Sequence, residues 1–288
     1  MDAFHLHFVG VGPQRTGTSW LYLLLQHHPR LCFPKDVKET MFFDCYYENG
    51  LSWYTAHFVQ QQGDQLCGEI SPTYFDVESA AARIYQLNPR CRIIINLRDP
   101  VSRAVSLYQH HLSRGRVSGT FTEAVSQMPR IVDVGRYARH IPTWLKRFGE
   151  DRVTFVLLDD IDACPKAVLT KVYDFLGVES VPMPDMGNEK INAATMPRFP
   201  RLAQVSARLV TTLRAYRFHK VVEVGKALKL NKVYTGAERD EPELTVYDRY
   251  SLLEQYETDI RYVERLLGRD LTAWRHPNDS ELQTEVVS

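Results

Sequence analysis

Residues 9–19, VGVGPQRTGTS, contain the groups that bind a phosphate or a similar anion. Gly12 and Gly17 occupy the two glycine positions of the nucleotide-binding pattern G-x-x-x-x-G-K-[ST], in which backbone N–H groups surround a phosphate. Thr18 stands where that pattern has the lysine that reaches the terminal phosphates of a nucleotide. The remaining groups, which suit a compact anion held without a metal ion, are backbone N–H donors and the side chains of Arg15, Thr16, Thr18 and Ser19.

A second set of polar residues lies in NLRDPVSRAVSLY, residues 96–108. Arg98 directly follows an apolar run, and Ser106 is eight residues further along the chain. If a helix begins near Pro100, a favourable first helical position, Ser106 falls about two turns into it. The guanidinium and the hydroxyl can then converge on one phosphate. The alternative is an arginine paired with Asp99 and a serine that packs on its helix.

A cation and a carboxylate are adjacent at Lys38 and Glu39, in KDVKETMFFD (residues 35–44). Exposed pairs of this kind are usually solvated and contribute about 0–1 kcal/mol to stability. Beside an anion site, the carboxylate can instead act as a general base if it reaches the proton of the nucleophile. Six aromatic residues follow, and we expect them to divide between the core and an acceptor pocket: Phe42, Phe43, Tyr46, Tyr47, Trp53 and Tyr54.

Three short apolar runs predict the strands that position these residues. They are FHLHFVGV (4–11), CRIIINL (91–97) and RVTFVLL (152–158), and each is followed by a turn and a helical pattern. Strands that alternate with helices predict an α/β fold in which helices flank a mostly parallel central sheet. Ligands bind beyond the carboxyl ends of the strands in such sheets. We therefore expect the loops after residues 11 and 97 to border one crevice.

Helical spacing recurs along the rest of the chain. It is found around 120–128, in 137–148 despite Pro142, in 166–178 and in 247–267. Residues 177–201, with four prolines and two glycines, predict a long loop. We find no internal repeat, and we predict one domain over residues 1–288 with a P-loop-like phosphate-binding turn.

The composition argues against several classes of function. The 288 residues are 44% hydrophobic and 24% charged, with 35 basic and 35 acidic side chains, so no global charge indicates nucleic acid or an anionic membrane as a partner. The five cysteines are scattered without a C-x-x-C pair, which argues against a metal site and favours a reducing compartment. Neither a secretory signal nor a run of about 20 apolar residues is visible, so we expect a cytoplasmic protein.

Taken together, these motifs resemble those of sulfotransferases that use 3′-phosphoadenosine 5′-phosphosulfate (PAPS). GPQRTGTSWLYLLLQHHP resembles the 5′-phosphosulfate loop of that family, and LRDPVSRAVSLY resembles its 3′-phosphate motif, with Arg98 and Ser106 in the matching places. The chain resembles the heparan sulfate and bacterial branches more than the steroid and phenol branch. The segments that carry this resemblance are KETMFFD, GEISPTYF (68–75), GRYARHIPTWLKRF, MPRFPRL and LLGRDLTAW. The resemblance covers nearly the whole chain.

This resemblance implies which residues bind the PAPS donor. Arg98 and Ser106 would hold the 3′-phosphate, and Arg198, in MPRFPRL, and Lys232 are further candidates for the donor site. Trp20 is a candidate for contact with the donor, although an aromatic at its helical position more often packs in a core. The 5′ end of the donor would be held by Arg15, Thr16, Gly17, Thr18 and Ser19.

The resemblance also implies the catalytic groups. Glu39 aligns with the catalytic carboxylate of the heparan sulfate branch and is the expected general base, with Asp76 and Glu69 as the next carboxylates to test. Lys38 and Arg15 would stabilise charge on the leaving phosphate and the sulfuryl oxygens, although the family often has lysine where this chain has Arg15. The steroid and phenol branch uses a histidine shortly before its 3′-phosphate motif, and no histidine occurs between residues 58 and 109 here.

The acceptor is left open by the sequence, as is the oligomeric state. We expect a small molecule, a metabolite first and a saccharide second, whose hydroxyl or amine attacks sulfur as adenosine 3′,5′-bisphosphate departs, without a metal. Residues 196–232, with nine Lys or Arg and one acid, are read as a solvated helix face or as a local basic patch. Two rival functions are a P-loop kinase, against which Thr18 argues, and a non-catalytic binder of the bisphosphate, which would need no base.

Overall fold

A parallel β-sheet lies at the centre of the computed structural model, which describes residues 4–58, 63–184, 196–197, 235–237 and 244–276. Its strands are β1 (Phe8–Gly10), β2 (Leu31–Cys32), β3 (Leu66–Ile70), β4 (Arg92–Leu97) and β5 (Val153–Leu157). They are arranged in the order β2–β3–β1–β4–β5, and every neighbouring pair is parallel. The prediction of an α/β fold with a parallel central sheet is therefore confirmed.

Helices connect these strands and cover the sheet. Their bounds are α1 (Thr18–Leu25), α2 (Leu51–Thr55), α3 (Glu78–Leu87), α4 (Pro100–Leu112), α5 (Phe121–Gln127), α6 (Arg130–Asp133), α7 (Tyr137–Phe148), α8 (Leu158–Ala163), α9 (Pro165–Leu176) and α10 (Val246–Leu267). Short 3₁₀ turns lie at Tyr47–Asn49, Pro72–Tyr74, Glu150–Arg152 and Thr272–Arg275. The helices predicted around 120–128 and over 137–148, 166–178 and 247–267 are confirmed, and Pro142 lies inside α7.

Two hydrophobic cores lie on opposite faces of the sheet, because successive side chains of a strand point to opposite sides. Val9 and Ile95 belong to the core that α3, α7 and α10 complete. Phe8 and Ile94 belong to the core that α1 and α9 complete. The central strands β1 and β4 are thus buried on both faces, which explains why their sequences are continuous apolar runs.

The strands β2 and β3 were not predicted. β2 has only two residues, and β3, LCGEI, contains a glycine and a charged residue in a fully buried position. A Cβ on Gly68 would lie 2.4 Å from the ring of Phe8, so glycine is needed where the two strands approach each other. The requirement for glycine comes from the neighbouring strand, which the local pattern does not reveal.

Some predictions fall partly or wholly outside the described residues. Residues 177–184 form neither helix nor strand, and Met196–Pro197 pairs antiparallel with Thr235–Ala237. Arg198, Lys232 and most of the basic stretch 196–232 lie outside the described ranges. The extent of the single domain over residues 1–288 stays a prediction. None of the helices in the described part of the chain combines the length and the apolar character needed to cross a bilayer.

Candidate active site

The loop of residues 11–17 joins β1 to α1 and lies against β4. A Cβ on Gly12 would lie 2.2 Å from the backbone nitrogen of Asn96, so the close approach of the loop to β4 requires glycine. Arg15 and Gly17 adopt positive φ angles of 75° and 86°. The hydroxyl of Thr16 donates to the Pro13 carbonyl at 2.6 Å, and Asn96 Nδ2 donates to the Thr16 carbonyl at 3.3 Å. The Thr16 hydroxyl therefore stabilises the loop, and its contact with the donor stays a prediction.

The first turn of α1 offers backbone N–H groups to an anion. The helix begins directly after Gly17, and no side chain caps it. The first N–H groups of a helix have no partner within the helix, and the helix dipole adds partial positive charge at this end. Ser19 lies in this turn and is partly exposed. Strand, glycine turn and uncapped helix thus form the cradle expected from residues 9–19.

Arg15 connects the loop to α4. Its Nε donates to Ser106 Oγ at 2.9 Å, and Arg98 Nη1 donates to the Arg15 carbonyl at 3.3 Å. Burial lowers the pKa of Arg15, and the charges of Arg98 and Arg114 lower it further. Burial also lowers the pKa of Arg98. Because neighbouring cations disfavour each other's charged form, an anion bound between them would relieve this repulsion.

The carboxylate of Asp99 caps α4, and its charge also favours the charged form of Arg98. Asp99 accepts hydrogen bonds from the backbone N–H groups of Val101 and Ser102, both at 3.0 Å. This cap starts α4 at Pro100 and so places Ser106 two turns into the helix, as predicted. The hydroxyl of Tyr137 donates to the Arg98 carbonyl at 2.7 Å and fixes the end of β4.

Lys38 and Glu39 lie beside the start of α1. Lys38 Nζ is 3.1 Å from Glu39 Oε1 and donates to Ser19 Oγ at 3.0 Å. The side chains of Lys38 and Glu39 are 25% and 24% exposed, so the pair is neither fully solvated nor enclosed. The structure therefore brings the base candidate, the cation and the phosphate-binding turn together.

The two other candidate carboxylates are differently placed. Asp76 is bound by Arg130, whose Nε donates to it at 2.7 Å, and which also donates to the Thr73 carbonyl at 2.8 Å. Glu69 is 0% exposed and lies within a hydrogen-bond network. Of the three, Glu39 is the partly exposed carboxylate that contacts the loop region through Lys38.

His110 and His111 lie in α4, and His140 lies in α7. Burial, together with neighbouring arginines, lowers the pKa of His110 to about 3 and that of His111 to about 4. Burial also lowers the pKa of His140, whose Nε2 is 3.0 Å from the Asp133 carbonyl oxygen. Neutral imidazoles in these positions agree with structural roles.

Of the six aromatic residues after Glu39, three are buried and three are partly exposed, and a contact of the latter with an acceptor stays a prediction. Phe42, Phe43 and Tyr54 are buried, and the rings of Phe42 and Tyr54 stack with centroids 4.7 Å apart. The partly exposed members of the set are Tyr46, Tyr47 and Trp53. Trp20 packs against the core that α1 and α9 complete.

A cavity of about 470 Å³ opens beside Arg98 and Ser106. This volume is within the range of small-molecule sites, about 300–1,000 Å³. Its walls come from α4, α8, α10 and the C-terminal 3₁₀ turn, with Ser102, Gln109, Asp159, Arg249 and Trp274 among the lining residues. Asp159, Arg249 and Trp274 were not predicted, because they lie far from the motifs in the chain. Within the described ranges, no group of three or more His, Cys, Asp or Glu is placed to hold a metal ion.

The chain is similar to sulfotransferases in both sequence and fold. The family described as the sulfotransferase domain matches residues 7–194. Human heparan sulfate glucosamine 3-O-sulfotransferase 6 is 32% identical over 183 residues, which cover 59% of this chain and 52% of that protein. Human bifunctional heparan sulfate N-deacetylase/N-sulfotransferase 3 is 33% identical over 192 residues, which cover 59% of this chain and 22% of that protein. The chain thus spans about half or less of the length of these relatives.

A solved structure shares the fold over almost the whole chain. A sulfotransferase from Alicyclobacillus acidocaldarius superposes with a TM-score of 0.68 and covers 96% of this chain and 100% of its own, at 23% identity. At 23% identity, the superposition is evidence for the fold alone.

Proposed function

The chain belongs to the sulfotransferase domain family, and we propose that it transfers a sulfuryl group from PAPS to a hydroxyl or amine of an acceptor. The proposal rests on the arrangement of hydrogen bonds around residues 15–19. Arg15 is hydrogen-bonded to Ser106 and Arg98, and Lys38 is hydrogen-bonded to Ser19. The site therefore has two groups of anion-binding residues bridged by residues 15–19. PAPS has a phosphosulfate at one end and a separate phosphate at the other, so its binding site requires two groups of anion-binding residues.

The residues at the α4 side fit the 3′-phosphate of the donor. Ser106 Oγ accepts a hydrogen bond from Arg15 through a lone pair, so its own O–H remains available to donate to a phosphate oxygen. Arg98 would add a charge-assisted hydrogen bond from its guanidinium. The 470 Å³ cavity beside these residues would accommodate the adenosine, with the carboxylate of Asp159 as an acceptor for its N–H or O–H groups.

The residues at the start of α1 fit the phosphosulfate. The uncapped N–H groups of its first turn and the hydroxyl of Ser19 would bind the oxygens of this group. Lys38 would neutralise the charge that develops on the leaving phosphate. Arg15, whose side chain is directed to Ser106, would contact the donor on the 3′-phosphate side, and its role at the leaving phosphate stays a prediction.

Glu39 is the proposed general base. In the reaction, the acceptor oxygen or nitrogen forms a bond to sulfur, the bond between sulfur and the phosphate oxygen breaks, and the acceptor proton passes to the Glu39 carboxylate. Lys38 Nζ, 3.1 Å from Glu39 Oε1, would orient that carboxylate beside the start of α1. Cleavage of the bond between sulfur and the phosphate oxygen would release adenosine 3′,5′-bisphosphate as the second product.

Two classes of acceptor are supported by different observations. A small metabolite agrees with the net neutrality of the chain. A saccharide agrees with relatives named as heparan sulfate 3-O- and N-sulfotransferases, and these names include both oxygen and nitrogen as acceptor atoms. We place the metabolite first, as the sequence suggested, and the two classes are distinguished by assay.

The test is a transfer assay with ³⁵S-labelled PAPS. The protein is incubated separately with a metabolite extract, glucosamine and a heparosan hexasaccharide, and products are separated and identified by mass spectrometry. We expect label and an added sulfuryl group in at least one acceptor and none in reactions without protein. Phosphorylation of an acceptor by ATP, with no transfer from PAPS, would instead support the kinase alternative and overturn the proposal.

We also propose that the protein acts in the cytoplasm. All five cysteines are free, and the exposed positions of Cys45 and Cys164 are compatible with a reducing compartment. Fractionation of the source cells with marker enzymes tests this location, and recovery with an exported marker would contradict it.

A further inference from the structure

A buried carboxylate lies behind the Lys38–Glu39 pair. Glu69, in the central part of the sheet, accepts four hydrogen bonds. Its Oε2 accepts from the backbone N–H of Thr40 at 3.2 Å and from the Thr40 hydroxyl at 2.8 Å. Its Oε1 accepts from the hydroxyls of Tyr54 and Tyr74, both at 3.0 Å. The carboxylate is fully buried, so it does not meet an acceptor directly.

The contact with Thr40 determines where the preceding residue lies, because Thr40 directly follows Glu39. Thr40 Oγ1 also accepts a hydrogen bond from the backbone N–H of Phe42 at 3.2 Å. Met41, between them, has a positive φ of 53°. Residues 39–42 are therefore bent around the Thr40 side chain, and Glu69 holds this bend against the sheet together with Tyr74, whose hydroxyl lies 3.2 Å from Thr40 Oγ1.

The same strand also connects this bend to the phosphate-binding turn. Glu69 of β3 is in register with Val9 of β1, the strand that leads into the loop of residues 11–17. Two adjacent positions of the sheet thus support the two halves of the candidate site. A hydrogen bond from Lys38 to Ser19 joins these halves at the surface.

We propose that Glu69 is a positioning residue, whose hydrogen bonds to Thr40 set Glu39 beside the start of α1. The inference rests on the proposed function, since it names what places the base of that reaction. It differs from a general role in stability, because it predicts a loss of turnover without a loss of donor binding.

Protonation of Glu69 leaves this positioning intact. Burial raises the pKa of Glu69 to about 7, so both protonation states are populated near neutral pH. The hydroxyls of Tyr54 and Tyr74 can accept as well as donate hydrogen bonds, so a proton on Oε1 has a partner while Oε2 continues to accept from Thr40. Glutamine keeps an acceptor oxygen for Thr40, while its amide NH₂ would donate to the tyrosine oxygens, so the hydrogen bonds to Tyr54 and Tyr74 would reverse direction.

Two pairs of variants test the proposal. Thr40→Val removes the hydroxyl and keeps the branched shape, whereas Thr40→Ser keeps the hydroxyl. Glu69→Met removes both oxygens with little change in volume, whereas Glu69→Gln keeps an acceptor for Thr40. The control is Asp259→Asn, together with Asp259→Leu: Asp259 is a buried carboxylate on α10 that accepts from the Ala138 N–H at 2.8 Å.

Three quantities are measured for each folded variant. They are turnover of ³⁵S-labelled PAPS with glucosamine and with a heparosan hexasaccharide, affinity for adenosine 3′,5′-bisphosphate, and amide hydrogen exchange over residues 38–43. For Thr40→Val and Glu69→Met we expect turnover to fall by about tenfold or more, the scale of a lost hydrogen bond to a charged group. We expect bisphosphate affinity within about twofold of wild type and faster exchange at residues 39–42.

The matched variants decide the outcome. We expect Thr40→Ser, Glu69→Gln and both Asp259 variants to keep wild-type turnover within about threefold, the range of minor effects. Equal losses in Thr40→Ser and Thr40→Val, or unchanged exchange and turnover in Thr40→Val, would overturn the proposal. If wild type transfers no sulfuryl group to either acceptor, the proposed function is in question, and the exchange measurements still decide whether Glu69 holds residues 39–42.

Discussion

The loop of residues 11–17 and the bend of residues 39–42 border the same candidate site but are held in different ways. The loop is shaped by its own backbone, through the close approach of Gly12 to Asn96 and the positive φ angles of Arg15 and Gly17. The bend is held by side chains distant in the chain: Glu69, 29 residues away from Thr40, and Tyr74, whose hydroxyl also contacts Thr40. The loop therefore leaves a local pattern in the sequence, whereas the bend depends on a distant partner.

This difference suggests that the loop serves donor binding and that the bend serves turnover. The loop, with Arg98 and Ser106, supplies groups that suit donor binding, and its disruption should affect affinity. The bend carries Glu39, and its disruption should affect turnover. Variants of the two regions should therefore separate into two kinetic classes.

The largest effect is expected in the bend, for Glu39→Gln. This change keeps the shape of the side chain and removes the proton acceptor, so turnover of PAPS should fall by about 10²–10⁴, the usual contribution of a positioned base. Affinity for adenosine 3′,5′-bisphosphate should remain near that of wild type. Steady-state rates and calorimetry measure the two quantities, and near-normal turnover would remove Glu39 from the mechanism.

A smaller effect is expected at the other region for Arg98→Ala. Loss of a charge-assisted hydrogen bond should weaken bisphosphate binding by about 2–3 kcal/mol. Arg147→Ala is the control and should leave affinity unchanged, since Arg147 of α7 is partly exposed and pairs with Glu78 of α3, 3.2 Å away. Equal affinity of Arg98→Ala and wild type, with both folded, would show that Arg98 is not part of the donor site.

Gly12→Ala should affect the loop through its backbone. The added methyl group would meet the backbone of Asn96, and forcing β1 and β4 apart should cost about 1–3 kcal/mol of unfolding free energy. Bisphosphate affinity should fall as well, because the loop shifts. Urea denaturation and calorimetry measure both, with Ser52→Ala, at an exposed position in α2, as the control. A variant as stable as wild type would contradict the close approach.

The smallest effect concerns the pH dependence of stability at the bend. The pKa of Glu69 is raised to about 7 in the folded protein by burial, from an ordinary value of 4.5. The folded state therefore binds this proton more tightly than the unfolded state, and the stabilisation is fully present below about pH 4.5 and lost as pH rises through 7. Glu69→Gln lacks this titration, so its unfolding free energy should fall less between pH 5 and 8 than that of wild type. Identical pH profiles would contradict the raised pKa.

The elements of the fold could be predicted where the residues of one element form a recognisable pattern by themselves. β1, β4 and β5 were predicted because buried parallel strands are continuous apolar runs, and the family assigned from the motifs is confirmed. β3 was missed because a buried glutamate and a glycine interrupt its apolar pattern. Both residues are explained by partners on other elements: Thr40 for Glu69, and Phe8 for Gly68.

The candidate site, like the fold, could be predicted only where its residues are close together in the chain. Arg98 and Ser106 were placed correctly relative to each other, because a strand end and two helical turns separate them. The contact of Arg15 with Ser106 joins residues 91 positions apart, and the contact of Lys38 with Ser19 depends on how β1 and β2 connect. Such contacts are set by tertiary structure, which spacing along the chain does not encode directly.

Calorimetric titration with adenosine 3′,5′-bisphosphate, and separately with ATP, in the presence and absence of Mg²⁺, tests the central claim most directly. The loop lacks the lysine that reaches the terminal phosphates of a nucleotide, and Arg98 and Ser106 form a separate anion site next to the cavity. We expect the bisphosphate to bind at least about 100-fold more tightly than ATP, a difference of about 2.7 kcal/mol, with no dependence on Mg²⁺. Tight binding of Mg·ATP and none of the bisphosphate would contradict the assignment of this site to a sulfuryl donor.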